Sequence, residues 1–278
     1  ARLPASATME TTKIELKKTS RGWGRGLFKM PRVIQPPLVL AGSHDPLLDW
    51  SLRESGSGIA TFFDGSLDGL SRLAEGKAVA CGMHVYEPVR DDWNKEHVGQ
   101  TLQGMPVVLI EWAVRQQGII VAPGNPKDIT SVRDLKRGTF VSRQTQAGSY
   151  ILLNHLMSCE NEDPMNLELL GTAARSEHDV ALAVADGKAD AGFGIEAVAR
   201  QNRLEFIPIV KERYDLAIWR RDYFEAPLQA VFEFVKSSPF AARAKELGGY
   251  DISFTNSSLS MIITVAVITL FLTLTVNP

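Results

Sequence analysis

From Pro36 onward the chain alternates short apolar runs with stretches of helical periodicity. PLVLAGSHD reads as a buried strand entering a Gly/Ser turn, and PLLDWSLRE as the start of a helix. GIATFFDGSLDGLSRLAEG repeats the scheme, with a strand, a turn at Gly65-Ser66 and a helix ending near Gly76. KAVACGMHV is a third strand, closed by a Gly-Met-His turn, and VVLIEWAVRQQGIIVAPGNP carries two more apolar runs. DITSVRDLKRG predicts a short helix that Ser131 can cap, and TFVSRQ predicts a strand leading into TQAGSYILLNHLMS. HDVALAVADGKADAGFGIEAVARQ reads as helix, Gly turn, short strand and helix. EFIPIVKERYDLAIWR holds two strands, and APLQAVFEFVKSSPFAARAKEL two terminal helices. Strands alternating with helices of about 10–15 residues predict an α/β fold with mostly parallel sheets.

The turns carry the candidate chemistry. Ser43, Ser66 and Ser149 each sit beside a glycine (Gly42, Gly65, Gly148), after a strand and before a helix. In open α/β sheets ligands bind at such turns, outside the carboxyl ends of the strands. Free N–H groups at helix N-termini, with small hydroxyls, suit a tetrahedral oxyanion; ordinary helix capping explains the same residues. Arg143 and Gln144 follow the strand TFV, where an arginine can supply fixed positive charge to an anion or simply face solvent. His44, His84 and His178 lie at or next to turns. With Asp45 they could form a metal site, although their spacing fits no local metal motif, and hydrogen bonding to an anion or capping suits them better. Tyr214 is a candidate for the hinge, the cleft wall or the core.

Charge changes the picture at the two ends. The chain of 278 residues has 30 basic and 32 acidic side chains, a net charge of −2 and 45% hydrophobic residues. These values exclude a disordered chain and a generally basic nucleic-acid binder. Residues 1–35 nevertheless carry eight Lys or Arg and two Glu, a solvated arm or a nucleic-acid arm in which Trp23 and Phe28 could stack. The last 27 residues carry no charge. Within them, the uncharged run 259–276 just reaches the length of a membrane span. A C-terminal membrane anchor, and an altered reading frame or an unstructured, packed tail, both remain open for it. The two cysteines, Cys81 and Cys159, cannot make a disulfide-dense scaffold or a four-thiolate zinc site, and Cys81 reads as a small buried hydrophobe. No apolar core of about 7–15 residues opens the chain, so the expected compartment is cytoplasmic. No Walker or Rossmann fingerprint appears in context, and no nucleophile stands beside a matched base. Neither a cofactor nor catalysis is expected.

Residues 36–252 closely resemble one family. LAGSHDPLLDW, GSLDGLSRLAEGKA, CGMHVYEP, WAVRQQGIIVAPGNP, FVSRQ, HDVALAVADGKADAGFGIEAVA, FIPIVKERYDL and LGGYDIS follow in order the pattern of the periplasmic-binding-protein-like (type II) domain. That domain occurs in molybdate-related regulators and fused to molybdopterin biosynthesis proteins. The resemblance implies two α/β lobes joined by a hinge, with a ligand cleft between them. Lobe one would take 36–113 plus 216–252, and lobe two 114–215, leaving 1–35 as a basic lead-in and 253–278 as an uncharged tail. The sequence departs from the family in having Tyr150 where a second Arg is usual and Ser142 where Asn is commoner. The helix-turn-helix that precedes this domain in many bacterial relatives does not occur here, so nucleic acid would be reached only through a missing or separate domain.

Two functions follow from the resemblance. One is a non-catalytic binding protein for a small anion, molybdate or tungstate, or for a molybdenum-cofactor-related molecule. Gly42, Ser43, His44, Asp45, Gly65, Ser66, His84, Arg143, Gln144, Gly148, Ser149, His178 and Tyr214 would then line the site. The other is the effector-sensing half of a transcriptional regulator. The sequence assigns no oligomeric state.

Overall fold

The structure, a computed structural model, describes residues 36–253 and 261–262. The basic lead-in and all of the uncharged run except Met261–Ile262 lie outside the described residues.

The first half of the fold opens with β1 (Val39–Gly42), α1 (Pro46–Glu54), β2 (Ala60–Phe63), α2 (Ser66–Ala74) and β3 (Ala80–Met83). A small hairpin, β4 (Tyr86–Glu87) with β5 (Asp92–Trp93), and α3 (Lys95–Thr101) lead to the long strand β6 (Val107–Val121). The second half adds a 3-10 turn (Val132–Arg137), β7 (Thr139–Val141), α4 (Gly148–Cys159), β8 (Glu168–Leu169), α5 (Glu177–Ala185), β9 (Ala191–Ile195) and α6 (Glu196–Gln201). A second long strand, β10 (Glu205–Trp219), returns the chain to the first half. There it ends in α7 (Arg220–Tyr223), α8 (Ala226–Phe234), α9 (Ser238–Leu247), β11 (Tyr250–Asp251) and β12 (Met261–Ile262).

One sheet runs β2-β1-β3-β10-β6-β9-β7-β8, with β11 and β12 also paired to β6. Its outer pairs are parallel. Its centre is antiparallel: β10 lies against β3 and β6, and β6 against β9. The mostly parallel sheet expected from the alternation is therefore a mixed one. Both long strands are continuous over 15 residues, where the sequence suggested two short strands in each place. The apolar runs are interrupted by Arg115, Gln117 and Glu212, which are buried inside the strands instead of marking turns. The pairing of β10 with β6 absorbs irregularities at Pro208/Val210 and Tyr214/Asp215. At roughly 3.3 Å per residue these strands span about 50 Å, enough to cross both halves of the molecule.

Each half is a three-layer unit, because alternate residues of a strand point to opposite faces. In the first half, Leu40, Ala80, Ile110 and Leu216 pack with α1, α8 and α9 through Leu48, Val231 and Phe240. On the opposite face Cys81, Met83, Leu109 and Ala217 pack with Leu70 and Leu73 of α2. In the second half, Ile119, Val121 and Phe193 pack with Leu152 and Leu153 of α4, while Ile120 and Val141 pack with Val180 and Val184 of α5. The result is a two-lobed α/β molecule in which β6 and β10 run through both lobes.

The end of β1 depends on a glycine. Gly42 has φ +99°, and a Cβ there would lie 2.3 Å from the carbonyl oxygen of Gly82. Only glycine lets β1 turn out of the sheet at this point, which aims Ser43 and Asp45 toward the interlobe region. Among the described residues no helix is long and apolar enough to cross a membrane.

Candidate functional site

Four strand ends converge where the lobes meet. β1 ends at Gly42-Ser43, β2 leads to Gly65-Ser66, β3 ends before His84, and β7 leads through Arg143 to Gly148-Ser149. Beneath these ends lies a buried polar network centred on Arg115 of β6. Arg115 is 1% exposed. Its Nε donates to Glu212 at 2.8 Å, one terminal nitrogen donates to Glu212 as well, and the other donates to Asp45 at 3.0 Å. Arg115 and Glu212 are register partners on adjacent strands, so the pair ties β6 to β10 in mid-span. The guanidinium also lies 4.3 Å from the ring centroid of Tyr214, two residues further along β10.

Asp45 has no acceptor capacity left for a ligand. It caps α1 by accepting from the Leu48 N–H at 2.7 Å, and it also accepts from Trp112 Nε1 at 3.2 Å, Arg115 at 3.0 Å and the Tyr250 hydroxyl at 2.6 Å. Burial opposes the charge of Glu212, but Arg115 and then His84 outweigh it and hold the carboxyl below its ordinary pKa. Burial likewise opposes the Arg115 charge, and Glu212 and Asp45 more than restore it.

His84 extends the network toward the cleft. Its Nδ1 lies 2.7 Å from Glu212, its Nε2 is hydrogen-bonded to Ser43 Oγ at 2.9 Å, and Glu177 stands 3.9 Å from the same Nε2. Ser43, His84 and Glu212 thus have the connectivity of a Ser–His–acid relay, which the sequence alone did not suggest. All three are at most 2% exposed, and neither Ser43 nor His84 lines the large cavity described below. Of the three places open to Tyr214, the hinge, the cleft wall and the core, the structure gives the core: it is fully buried and donates its hydroxyl to the Ser43 carbonyl. Gln117 donates from Nε2 to Glu212 at 3.1 Å, and the first residue of α5, Glu177, accepts from the Ile195 N–H at 3.1 Å.

Above the network the N-termini of α2 and α4 approach one another across the lobes. The Leu67 N–H in the first turn of α2 donates to the Gln146 carbonyl at 3.2 Å. A Cβ on Gly148 would lie 2.4 Å from the His84 carbonyl oxygen, so this close approach of the two backbones requires glycine. Ser66 and Ser149 are both buried; Ser66 Oγ accepts from the His84 N–H at 3.4 Å, whereas Ser149 Oγ has no partner. The Oε1 of Gln144 is also buried without a partner.

Arg143 sits at the same edge but serves the neighbouring loop. Its Nε donates to the Ala174 carbonyl at 3.2 Å and a terminal nitrogen to the Arg175 carbonyl at 3.0 Å. Burial pushes its pKa down, and Glu177 and Asp179 only partly offset this.

The three histidines separate. His44 and His178 line a cavity of about 510 Å³ between the lobes, together with Trp50, Phe63 and Arg243, whereas His84 belongs to the buried network. Among the described residues no three His, Cys, Asp or Glu side chains gather as a metal-ligand group. Cys81 is fully buried, and burial pushes its thiol pKa upward.

Sequence reasoning missed Arg115, Gln117, Glu177 and Glu212. The available signal was the occurrence of polar residues inside the otherwise apolar runs WAVRQQGIIV and FIPIVKERYDL. A second buried carboxylate, Asp215, accepts from Asn94 Nδ2 at 2.7 Å and from Arg213 Nε at 3.1 Å. Burial raises its pKa to about 6.

Replacing Arg115 by Met would leave Asp45 and Glu212 buried without their cation. We expect Arg115→Met to lower unfolding free energy by about 3–5 kcal/mol in urea titrations. A loss below about 1 kcal/mol would show that the network is not structural.

Asp215 and Glu212, both fully buried, act in separate pH windows. The folded-state pKa of Asp215, about 6, lies above the unfolded value of about 3.9, so folding favours its protonated form and stability falls as pH rises between the two. The lowered Glu212 acts oppositely: its contribution is present above an unfolded pKa of about 4.3 and is lost as pH falls through the folded one. Burial raises Asp64 and Glu111 as well, so urea titrations of Asp215→Asn are expected to show a smaller decline between about pH 4 and 6 than the wild type does. An unchanged decline would assign it to another group.

Residues 50–236 match the PBP superfamily domain. The uncharacterized protein YvgK of Bacillus subtilis (strain 168) is 30% identical over 195 residues, covering 69% of this chain and 63% of YvgK. The chain thus spans less than two thirds of that relative's length. The sulfate-binding protein SubI from Mycobacterium tuberculosis superposes with a TM-score of 0.54 at 17% identity, covering 77% of this chain and 86% of SubI. The CcmR regulatory domain of Synechocystis PCC6803, solved in complex with 2-PG, gives a TM-score of 0.52 at 10% identity, covering 72% of this chain and 96% of that domain. Both are likenesses of fold. With its long strands passing through two lobes and its strand ends meeting between them, the chain belongs to the PBP superfamily and has the type II, two-lobed fold.

Proposed function

We propose that this ligand-binding domain is non-catalytic and closes its lobes on a small oxyanion, with molybdate or tungstate as the first candidates. The observation that carries the reading is the approach of the α2 and α4 N-termini across the cleft, with Ser149 Oγ buried and unpartnered beside them. Helix N-termini present unsatisfied N–H groups and the positive end of the helix dipole, which suits a tetrahedral anion without a countercharge. SubI, described as sulfate-binding, supports the reading only as an example of what this fold can hold.

On this reading lobe one comprises 36–113 with 216–252, lobe two comprises 114–215, and the hinge lies in the middle of β6 and β10. Gly65, Ser66, Gly148 and Ser149 hold the anion, while Ser43 and His84 stand behind them. Arg143 acts indirectly by fixing the 174–175 loop. A ligand that contacts both lobes favours the closed state by its differential affinity.

Thermal-shift and calorimetric titration with molybdate, tungstate and sulfate tests the proposal. Binding at 100-fold above Kd should stabilise the fold by about 2.7 kcal/mol. Ser149→Ala should weaken it about tenfold or more, since a hydrogen bond to a charged group contributes about 1.5–3 kcal/mol. If none of the three anions raises Tm, the oxyanion reading fails.

A further inference from the structure

The small hairpin of β4 and β5 stands apart from the main sheet. Two residues per strand, paired as Tyr86 with Trp93 and Glu87 with Asp92, are too few to hold a hairpin by themselves. Its base is supported by the first lobe. The Val85 N–H donates to Asn94 Oδ1 at 2.6 Å, and the Asn94 N–H donates to the Val85 carbonyl at 2.9 Å. One Glu87 carboxylate oxygen accepts from the N–H groups of Glu96 and His97 at 2.6 and 3.1 Å, which fixes the hairpin to the start of α3. Val98 and Leu102 of α3 pack with Leu73, Met83 and Val85 in the first lobe's core.

The aromatic side chains of the same hairpin grip the second lobe. Tyr86 and Trp93, with ring centroids 5.2 Å apart, pack against the core that contains Ile119, Phe140, Leu152 and Phe193. The Tyr86 ring also lies 4.9 Å from that of His155 on α4. Arg213 of β10 completes the hold, donating to Asp92 at 3.1 Å and to the Trp93 carbonyl at 2.8 Å. Asp215 accepts from Arg213 Nε at 3.1 Å and so helps to aim the guanidinium at the hairpin. Only the tip is free, with Val89 95% exposed. A firmly based arm of one lobe, set against the core of the other, resists their separation. It does so on the α4 side of the sheet, where the N-termini of α2 and α4 meet. Aromatic burial and a charge-assisted hydrogen-bonded pair hold it without any ligand.

We propose that the β4–β5 hairpin is a clasp between the lobes: based in the first and gripping α4 and β10 of the second, it keeps the N-termini of α2 and α4 together in the ligand-free protein and must release before they part. The inference goes beyond the oxyanion reading. It rests on the packing of the hairpin and its test needs no ligand, so either can fail alone.

The reporter is the Leu67 amide, whose bond to the Gln146 carbonyl crosses from one lobe to the other. Its hydrogen exchange in the full chain reads local parting of the lobes. His155→Ala and Asp92→Ala remove one grip from each side of the clasp and leave both cores intact. Combined, they are expected to speed Leu67 exchange by about tenfold, while the amides of Cys81 and Phe193, inside the strands of each lobe, stay within about twofold of the wild type. His155→Phe keeps a ring against Tyr86 and should exchange at Leu67 as the wild type does. The proposal is overturned if Leu67 exchange is unchanged in the double variant. It is equally overturned if Cys81 and Phe193 accelerate as much as Leu67, since the hairpin would then support the fold as a whole and not the junction of the lobes.

Discussion

A single buried guanidinium sets the geometry on which this fold depends. Arg115 occupies the middle of a strand that must serve two hydrophobic cores, and it cannot lose its charge or reach water. Its donors require carboxylates in fixed places, and Asp45 and Glu212 supply them. Glu212 fixes β10 beside β6. Asp45 fixes the turn after β1, starts α1 and receives the hydroxyl of Tyr250 from near the end of the described chain. Through Glu212 the constraint passes to His84 and then to Ser43. A buried ion pair of this kind is weak evidence for net stability, since desolvation offsets much of the attraction. What it enforces is mutual position, because each member would be costly if left alone.

The elements that could be read from sequence are those whose apolar runs are short and bounded by turn residues. β1, β2 and β7, with α1, α2 and α4 after them, follow from PLVLAGSHD, GIATFFDGS and TFVSRQTQAGS because Gly and Ser mark the strand ends. The long strands were harder. Arg115, Gln117 and Glu212 look like solvent-facing residues that should end a strand, and only tertiary pairing makes them interior ones. Strand direction was equally hidden. The antiparallel centre arises because β10 returns across the molecule, and no local window of sequence records that return. At the site, the serines and glycines of the turns could be named because their chemistry is local. The engagement of Asp45, the burial of Tyr214 and the attachment of Arg143 to the 174–175 carbonyls depend on residues far away in sequence.

The arrangement separates support from recognition. Arg115, Asp45, Glu212 and His84 face one another beneath the strand ends, where their hydrogen bonds hold the crossover strands and the turn after β1. Among the buried polar atoms without a partner, Ser149 Oγ and Gln144 Oε1 lie near the start of α4, whereas Gln117 Oε1 belongs to the network itself. Small residues permit the approach of the lobes, since Gly148 meets the His84 carbonyl where any side chain would collide. The rigid network and the close glycine contact are complementary, because closing the cleft reproducibly requires strand ends that do not move relative to their own lobe.

Amide hydrogen exchange, followed residue by residue with and without saturating molybdate, reaches this claim most directly. The account requires the amides of Arg115, Gln117, Glu212 and Tyr214 to be among the slowest in the free protein and to change little on binding. New protection should appear at the amides of Gly65, Ser66, Gly148 and Ser149, whereas those of Leu67 and Ala147 are already hydrogen-bonded in the free protein. Fast exchange in the middle of β6 and β10, or protection gained there and not at the two turns, would contradict it.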